Sequence, residues 1–194
     1  MKTEQDLRVL KTLEHIKSGF SLCVSQKTFK SITIKDISTA AKVNRSTFYT
    51  YYTDKYHLRD ELVKATLQDL DHAIDLKFIT FDDQSPCQTR SVIVQHLEHL
   101  WSQKEWYLHL WNKNLELHVF EDMQSLLENK IRNIFNQKDE EEFSERKELF
   151  ARLYASTTMS ILKWWYEVAP TTSAAKVADI IYKHWELGMH RTFF

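Results

Sequence analysis

The residues of this 194-residue chain best suited to chemistry are a run of hydrogen-bond donors, TIKDISTAAKVNRSTFYTYYTDKYHL, from Thr33 to Leu58. Arg45 can donate to guanine or to a phosphate. Thr47 and Thr50 can hydrogen-bond a base edge or touch a thymine methyl, and Tyr49 can reach a phosphate. Thr33, Lys35, Lys42, Asn44, Ser46 and Lys55 complete the candidate set, with Lys55 near a helix N-terminus and suited to a backbone contact. Catalysis is poorly served by comparison. No nucleophile stands at a meaningful spacing from a base. The only two glycines, Gly19 and Gly188, lie too far apart for a phosphate-cradling loop. The chain therefore reads as a non-enzyme without a cofactor.

Short helices must position these donors. Thr33 and Asp36 form a capping-box pattern: the Thr hydroxyl can accept from the backbone N–H three residues on, and the acid can reach back. Ile34, Ile37, Ala40 and Ala41 then supply the inner face of a short helix, and Val43-Asn44 interrupts it. Asn44 is a good N-cap for a second helix, Arg45 to about Tyr52, whose Phe48 and Tyr52 face inward. Thr53-Asp54 opens a longer helix. Two short helices joined by a tight turn have the layout of a helix-turn-helix, whose second helix enters the major groove while the first crosses the backbone.

These residues resemble the DNA-binding domain of the TetR/AcrR family of transcriptional regulators. The resemblance rests on Thr33, Ile37, Ala41, Val43, Thr47-Phe48-Tyr49, Tyr51-Tyr52, Asp54-Lys55 and Leu58, about 30 residues in all. More loosely, TMSILKWWYEVAPTTSAAKVADIIYKHWELG resembles the last two helices of a branch that includes regulators of dihydroxyacetone kinase operons. One position departs from the pattern: the family usually has glycine before the turn valine, and here it is Lys42. Either Lys42 takes a left-handed conformation, at a cost on the order of 1 kcal/mol, or the turn is remodelled.

The rest of the chain agrees with an all-α protein of about nine helices. Helical stripes include Leu7, Leu10, Leu13, Ile16 and Phe20 in residues 3–25. Ser85-Pro86 opens a helix to about Ser102, followed by helices over 104–111, 115–135 and 143–168. Pro170 stops the last of these, and Ser173 caps a final helix that Gly188 can close. The expected division is 1–54 as a helix-turn-helix domain, 55–76 as a connecting helix, and 77–194 as an effector-binding and dimerisation domain. Charge divides in the same sense. Residues 1–65 hold 12 Lys/Arg against 7 Asp/Glu, and the remainder holds 14 against 20. A basic module joined to an acidic one suggests that only the first meets a polyanion.

The resemblance implies more. It implies a homodimer joined by the last two helices, for which Ser156, Ser160, Ile161, Trp164, Val177, Ile181 and Trp185 are candidates. It implies a pocket for an unknown small-molecule effector. Candidates there are Trp101, Trp106, Tyr107, Trp111, Phe120, Tyr154 and Trp165, although aromatics at helical spacing also simply fill cores. It implies a double-stranded DNA operator, palindromic if the regulator is a dimeric repressor; a coactivator working through a protein partner is the alternative. His96, His99, His109 and His118 do not have a zinc-motif spacing, so no metal is expected. No apolar run approaches the roughly 20 residues of a membrane span, and the N-terminus lacks a signal-peptide core. With only Cys23 and Cys87, a reduced, cytoplasmic protein without a membrane partner is expected.

Overall fold

The computed structural model describes residues 4–74, 86–112, 115–136 and 144–185. The expected linker over 77–84, most of the charged loop over 136–142 and the cap at Gly188 lie outside the described residues. Among the described residues there are nine α-helices and no strand: α1 (Glu4–Gln26), α2 (Ile34–Ala40), α3 (Arg45–Tyr51), α4 (Lys55–Ala73), α5 (Pro86–Ser102), α6 (Lys104–Trp111), α7 (Val119–Asn136), α8 (Ser144–Glu167) and α9 (Ala174–Lys183). A single 3-10 turn, Phe29–Ser31, stands between α1 and α2. No helix among the described residues is long and apolar enough to cross a membrane.

One boundary and one apolar stripe are informative beside the sequence expectation. The helix expected from residue 115 begins at Val119, because Glu116 takes a left-handed φ of 58° that no α-helix contains. The stripe on α1 is only partly covered: Ile16 and Phe20 are buried, whereas Leu7 and Leu10 are exposed. Apolar spacing marks a face of a helix but supplies no neighbour to cover it.

The helices form two compact units. The first comprises the described residues up to Thr66 together with Glu105–Val119. Its core holds Ile16, Phe20, Phe29, Ile37, Phe48 and Leu58. Trp106 of α6 joins them, packing edge-on against Phe20 and donating from its indole Nε1 to the Thr66 hydroxyl at 2.9 Å. Gly19 marks the closest approach of α1 to α2. A Cβ at Gly19 would fall 2.6 Å from the backbone nitrogen of Ala41 and 2.8 Å from its Cβ. Alanine is the better helix former by about 1 kcal/mol, but overpacking costs about 1–3 kcal/mol. Because the obstacle here is backbone, Gly19→Ala should destabilise the protein by about 1–2 kcal/mol in urea unfolding. A variant as stable as the parent would mean the two helices are free to separate.

The second unit comprises Leu67–Lys104 and the residues from Phe120 onward. Phe150, Tyr154, Met159 and Leu162 of α8 are buried in it, with Ile93 and Leu97 of α5 and Val177 and Ile181 of α9. Arg90 of α5 grips Asp179 of α9 with two hydrogen bonds, at 2.5 and 3.2 Å. Arg132 of α7 bridges Glu128 and Glu148, which links α7 to α8. Lys130 donates to the backbone carbonyls of Asp71 and Ile74, closing the C-terminal end of α4. The cap of α9 is the expected one, with the Ser173 hydroxyl accepting from Lys176 N.

Candidate functional site

The capping box at the start of α2 forms as the sequence requires. The Thr33 hydroxyl accepts from Asp36 N at 3.2 Å, and the Asp36 carboxylate accepts from Thr33 N at 2.9 Å. Lys27 Nζ donates to the same carboxylate at 2.9 Å. The Lys27 ammonium and the two Thr33 donors hold the Asp36 carboxyl well below the usual carboxylate range. The acid on this face is thus neutralised locally, and Thr33 is committed to the cap.

The turn after α2 resolves the question posed by Lys42. Its φ is 55°, so it occupies the left-handed position itself. Lys42 N donates to Thr39 O at 3.2 Å and Val43 N to Ser38 O at 3.0 Å. That pair of bonds is the Schellman motif, in which the left-handed residue closes the helix C-terminus. Lysine there costs about 1–2 kcal/mol of backbone strain relative to glycine. Glycine loses about 0.5–1 kcal/mol through its freer unfolded chain. The balance favours Lys42→Gly by about 0.5–1 kcal/mol, which a rise in Tm would register; a lower Tm would mean the Lys42 side chain stabilises the fold.

From this turn α3 projects its donors. Asn44 has the extended backbone of an N-cap, but its side chain makes no capping bond, contrary to expectation. Asn44, Arg45 and Ser46 are exposed, as are Tyr49 and Thr50, while Thr47 is half-buried. Phe48 is the buried anchor of the helix, and Tyr49 lies edge-on to it with half its surface exposed. Thr50 spends its hydroxyl proton on Ser46 O at 3.1 Å. Lys35, Lys42 and Arg45 are exposed and have no ion-pair partner among the described residues.

Lys55 differs from the other candidates in being held internally. Its three ammonium protons go to three backbone carbonyls: Phe29 at 2.8 Å, Lys30 at 2.9 Å and Ile32 at 2.8 Å. The ammonium also lies over the Phe29 ring, 4.8 Å from its centroid. All three donors are thus engaged within the chain, and Lys55 ties the 3-10 turn to α4. A cation at a helix N-terminus is opposed by the helix dipole, and that is the signal that it required an internal acceptor. Asp54 caps α4 beside it, accepting from His57 N at 2.8 Å.

The aromatic candidates divide between the two units. Trp106 and Tyr107 are core residues of the first unit, with Trp111 tilted 6.1 Å from Tyr107. In the second unit Trp101 stacks on Trp165 at 4.4 Å, and Phe120 has Lys163 above its ring. None of these lines the described cavity; of the seven, only Tyr154 does. That cavity has about 80 Å³ of room for the centres of water-sized molecules. Leu70 of α4 and Ile74 just after it form part of its wall, with Met123 and Leu127 of α7 and Met159 of α8. The remaining candidates divide similarly. Val177, Ile181 and Trp185 are buried within their own unit and offer a partner no surface. Ser156, Ser160, Ile161 and Trp164 keep some exposure, and Trp164 is 39% exposed. No group of three His, Cys, Asp or Glu side chains among the described residues is placed to hold a metal ion. Burial pushes the Cys23 thiol up, away from reactivity.

No family model and no curated protein matches the sequence. Solved structures do. The dihydroxyacetone kinase operon activator DhaS aligns with a TM-score of 0.60 and 20% identity, over 94% of this chain and 97% of that one. Thermus thermophilus FadR, a TetR-family transcriptional repressor solved with lauroyl-CoA, aligns at 0.51 and 19% identity, over 91% and 94%. The chain thus has the all-α fold of TetR-family transcriptional regulators.

Proposed function

We propose that this chain is a TetR-family transcriptional regulator, a homodimer that binds a palindromic double-stranded DNA operator and is released from it by a small-molecule effector. The observation that carries this reading is the surface of α2, its turn and α3. There Lys35, Lys42 and Arg45 are exposed cations with no ion-pair partner among the described residues, Tyr49 of the same segment is half exposed, and the acid of α2, Asp36, is held by Lys27. In this reading Arg45 and Thr47 meet base edges, and Lys35, Lys42 and Tyr49 meet phosphates. Selection of bound sequences from random duplex DNA tests it. The expected product is a palindrome with half-sites one helical turn or a multiple apart. No enrichment over random sequence would overturn the proposal.

Dimerisation is supported by α8. Leu149, Leu153 and Trp164 are exposed, and Ser156 and Ser160 fall between them at three- and four-residue steps on one helix face. Ile180 of α9 is exposed as well and replaces the buried Ile181 as the α9 candidate. The small serines allow close approach, so an arginine among them would obstruct a partner. Ser160→Arg should sediment as a monomer, with an unchanged helical circular-dichroism spectrum and operator affinity at least about tenfold lower. Persistence of the dimer would exclude this face. Repression follows FadR, described as a repressor; activation is the second reading, since DhaS is described as an operon activator. A reporter fused to the selected operator decides between them.

A further inference from the structure

The cavity of the second unit is chemically selective. Ten of its thirteen lining side chains are Leu, Ile or Met, and no Lys, Arg, Asp or Glu is among them. The polar exceptions are His96, Tyr154 and Thr158. Tyr154 and Thr158, one turn apart on α8, share a side-chain hydrogen bond. A carboxylate or phosphate inside this cavity would find no Lys or Arg to pair with, His96 being the one lining side chain able to carry a positive charge, and an unpaired buried charge is strongly disfavoured. A sugar would strand several hydroxyls against aliphatic walls, each left without a partner. A hydrocarbon chain loses nothing there, and a single hydroxyl or carbonyl can join the Tyr154–Thr158 pair or meet His96.

We infer that the second unit takes a neutral, largely aliphatic molecule with at most one hydrogen-bonding group, of the class of straight-chain alcohols and ketones. This rests on the reading of that unit as the effector-binding part. The wall includes Leu70, in the last turn of α4, and Ile74 just after that helix.

The test uses the full chain carrying 13C-methyl methionine, because Met123 and Met159 both line the cavity. 1-Octanol and octanoate are titrated at pH 8, where octanoate is ionised and the two differ mainly in charge. Octanol should shift the Met123 and Met159 methyl resonances saturably, with octanoate at least about tenfold weaker. Leu127→Trp, which fills the cavity, should abolish the octanol shift while operator binding remains. Should that variant fail to fold, Leu100→Phe at the half-buried edge serves the same purpose. Octanoate shifting the same methyls at equal concentration would overturn the inference, as would octanol shifts that survive the filling variants. Operator binding, measured on the same samples, keeps the two readings apart. Retained DNA binding with silent methyls removes this inference alone; saturable methyl shifts without DNA binding remove the regulator reading and leave the ligand class standing.

Discussion

Lys55→Met should lower the unfolding free energy by about 2–3 kcal/mol, and Tm by roughly 5–10 °C, without changing the salt dependence of operator binding. Methionine preserves much of the side-chain length over Phe29 but removes all three donors. The carbonyls of Phe29, Lys30 and Ile32 then lose their charged partner. A hydrogen bond to a charged group contributes about 1.5–3 kcal/mol, and water recovers part of that because the site is only partly buried. The contrast with Arg45→Ala makes the result diagnostic. Arg45 makes no internal bond among the described residues, so its loss should leave Tm within about 1 °C. Each phosphate contact contributes about 0.9 to the slope of log affinity against log salt. If Lys55→Met behaves as Arg45→Ala should, with a reduced slope and an intact Tm, then Lys55 is a phosphate contact and its internal bonds contribute little to the fold.

The second large effect is expected at Trp106. Truncating a buried tryptophan to alanine costs about 3–5 kcal/mol. Here the loss includes the edge contact with Phe20 and the donor to Thr66. Because Trp106 belongs to the first unit, the damage should be local to it. Hydrogen exchange should accelerate by two orders of magnitude or more in α1 to α3, while α8 and α9 keep their protection. Trp106→Phe keeps one ring but loses the N–H and part of the buried indole, so an intermediate loss of about 2 kcal/mol is expected. Equal acceleration throughout the chain would mean the two units unfold as one.

The elements themselves were legible because their signals are local. Thr33 with Asp36, Ser173 before its helix, Pro86 at a first turn and Pro170 after a last one each act within four residues. At Lys42 the sequence left two outcomes open, and the φ of 55° decides for the left-handed lysine. What escaped was set by distant neighbours. The acceptors of Lys55 lie 23 to 26 residues earlier. The segment bearing Trp106 reads as part of the acidic region by position and composition, yet its core partner is Phe20. On α9 the apolar stripe is real, but periodicity cannot tell a face turned to its own unit from one left for a partner. The cavity was missed because its walls are Leu, Ile and Met, residues that carry no mark of function. The aromatics that drew attention instead do what large side chains usually do, which is to occupy space.

The lysine seated in the left-handed turn has a consequence for anyone who engineers this chain. Two selections on one library should disagree at position 42. A heat-challenge screen would favour glycine, and an operator-capture screen, on the proposed role, would retain the cation. Consensus stabilisation guided by temperature alone would therefore drift toward a hardier protein with a weaker grip on DNA, and position 42 is where that divergence should first be visible.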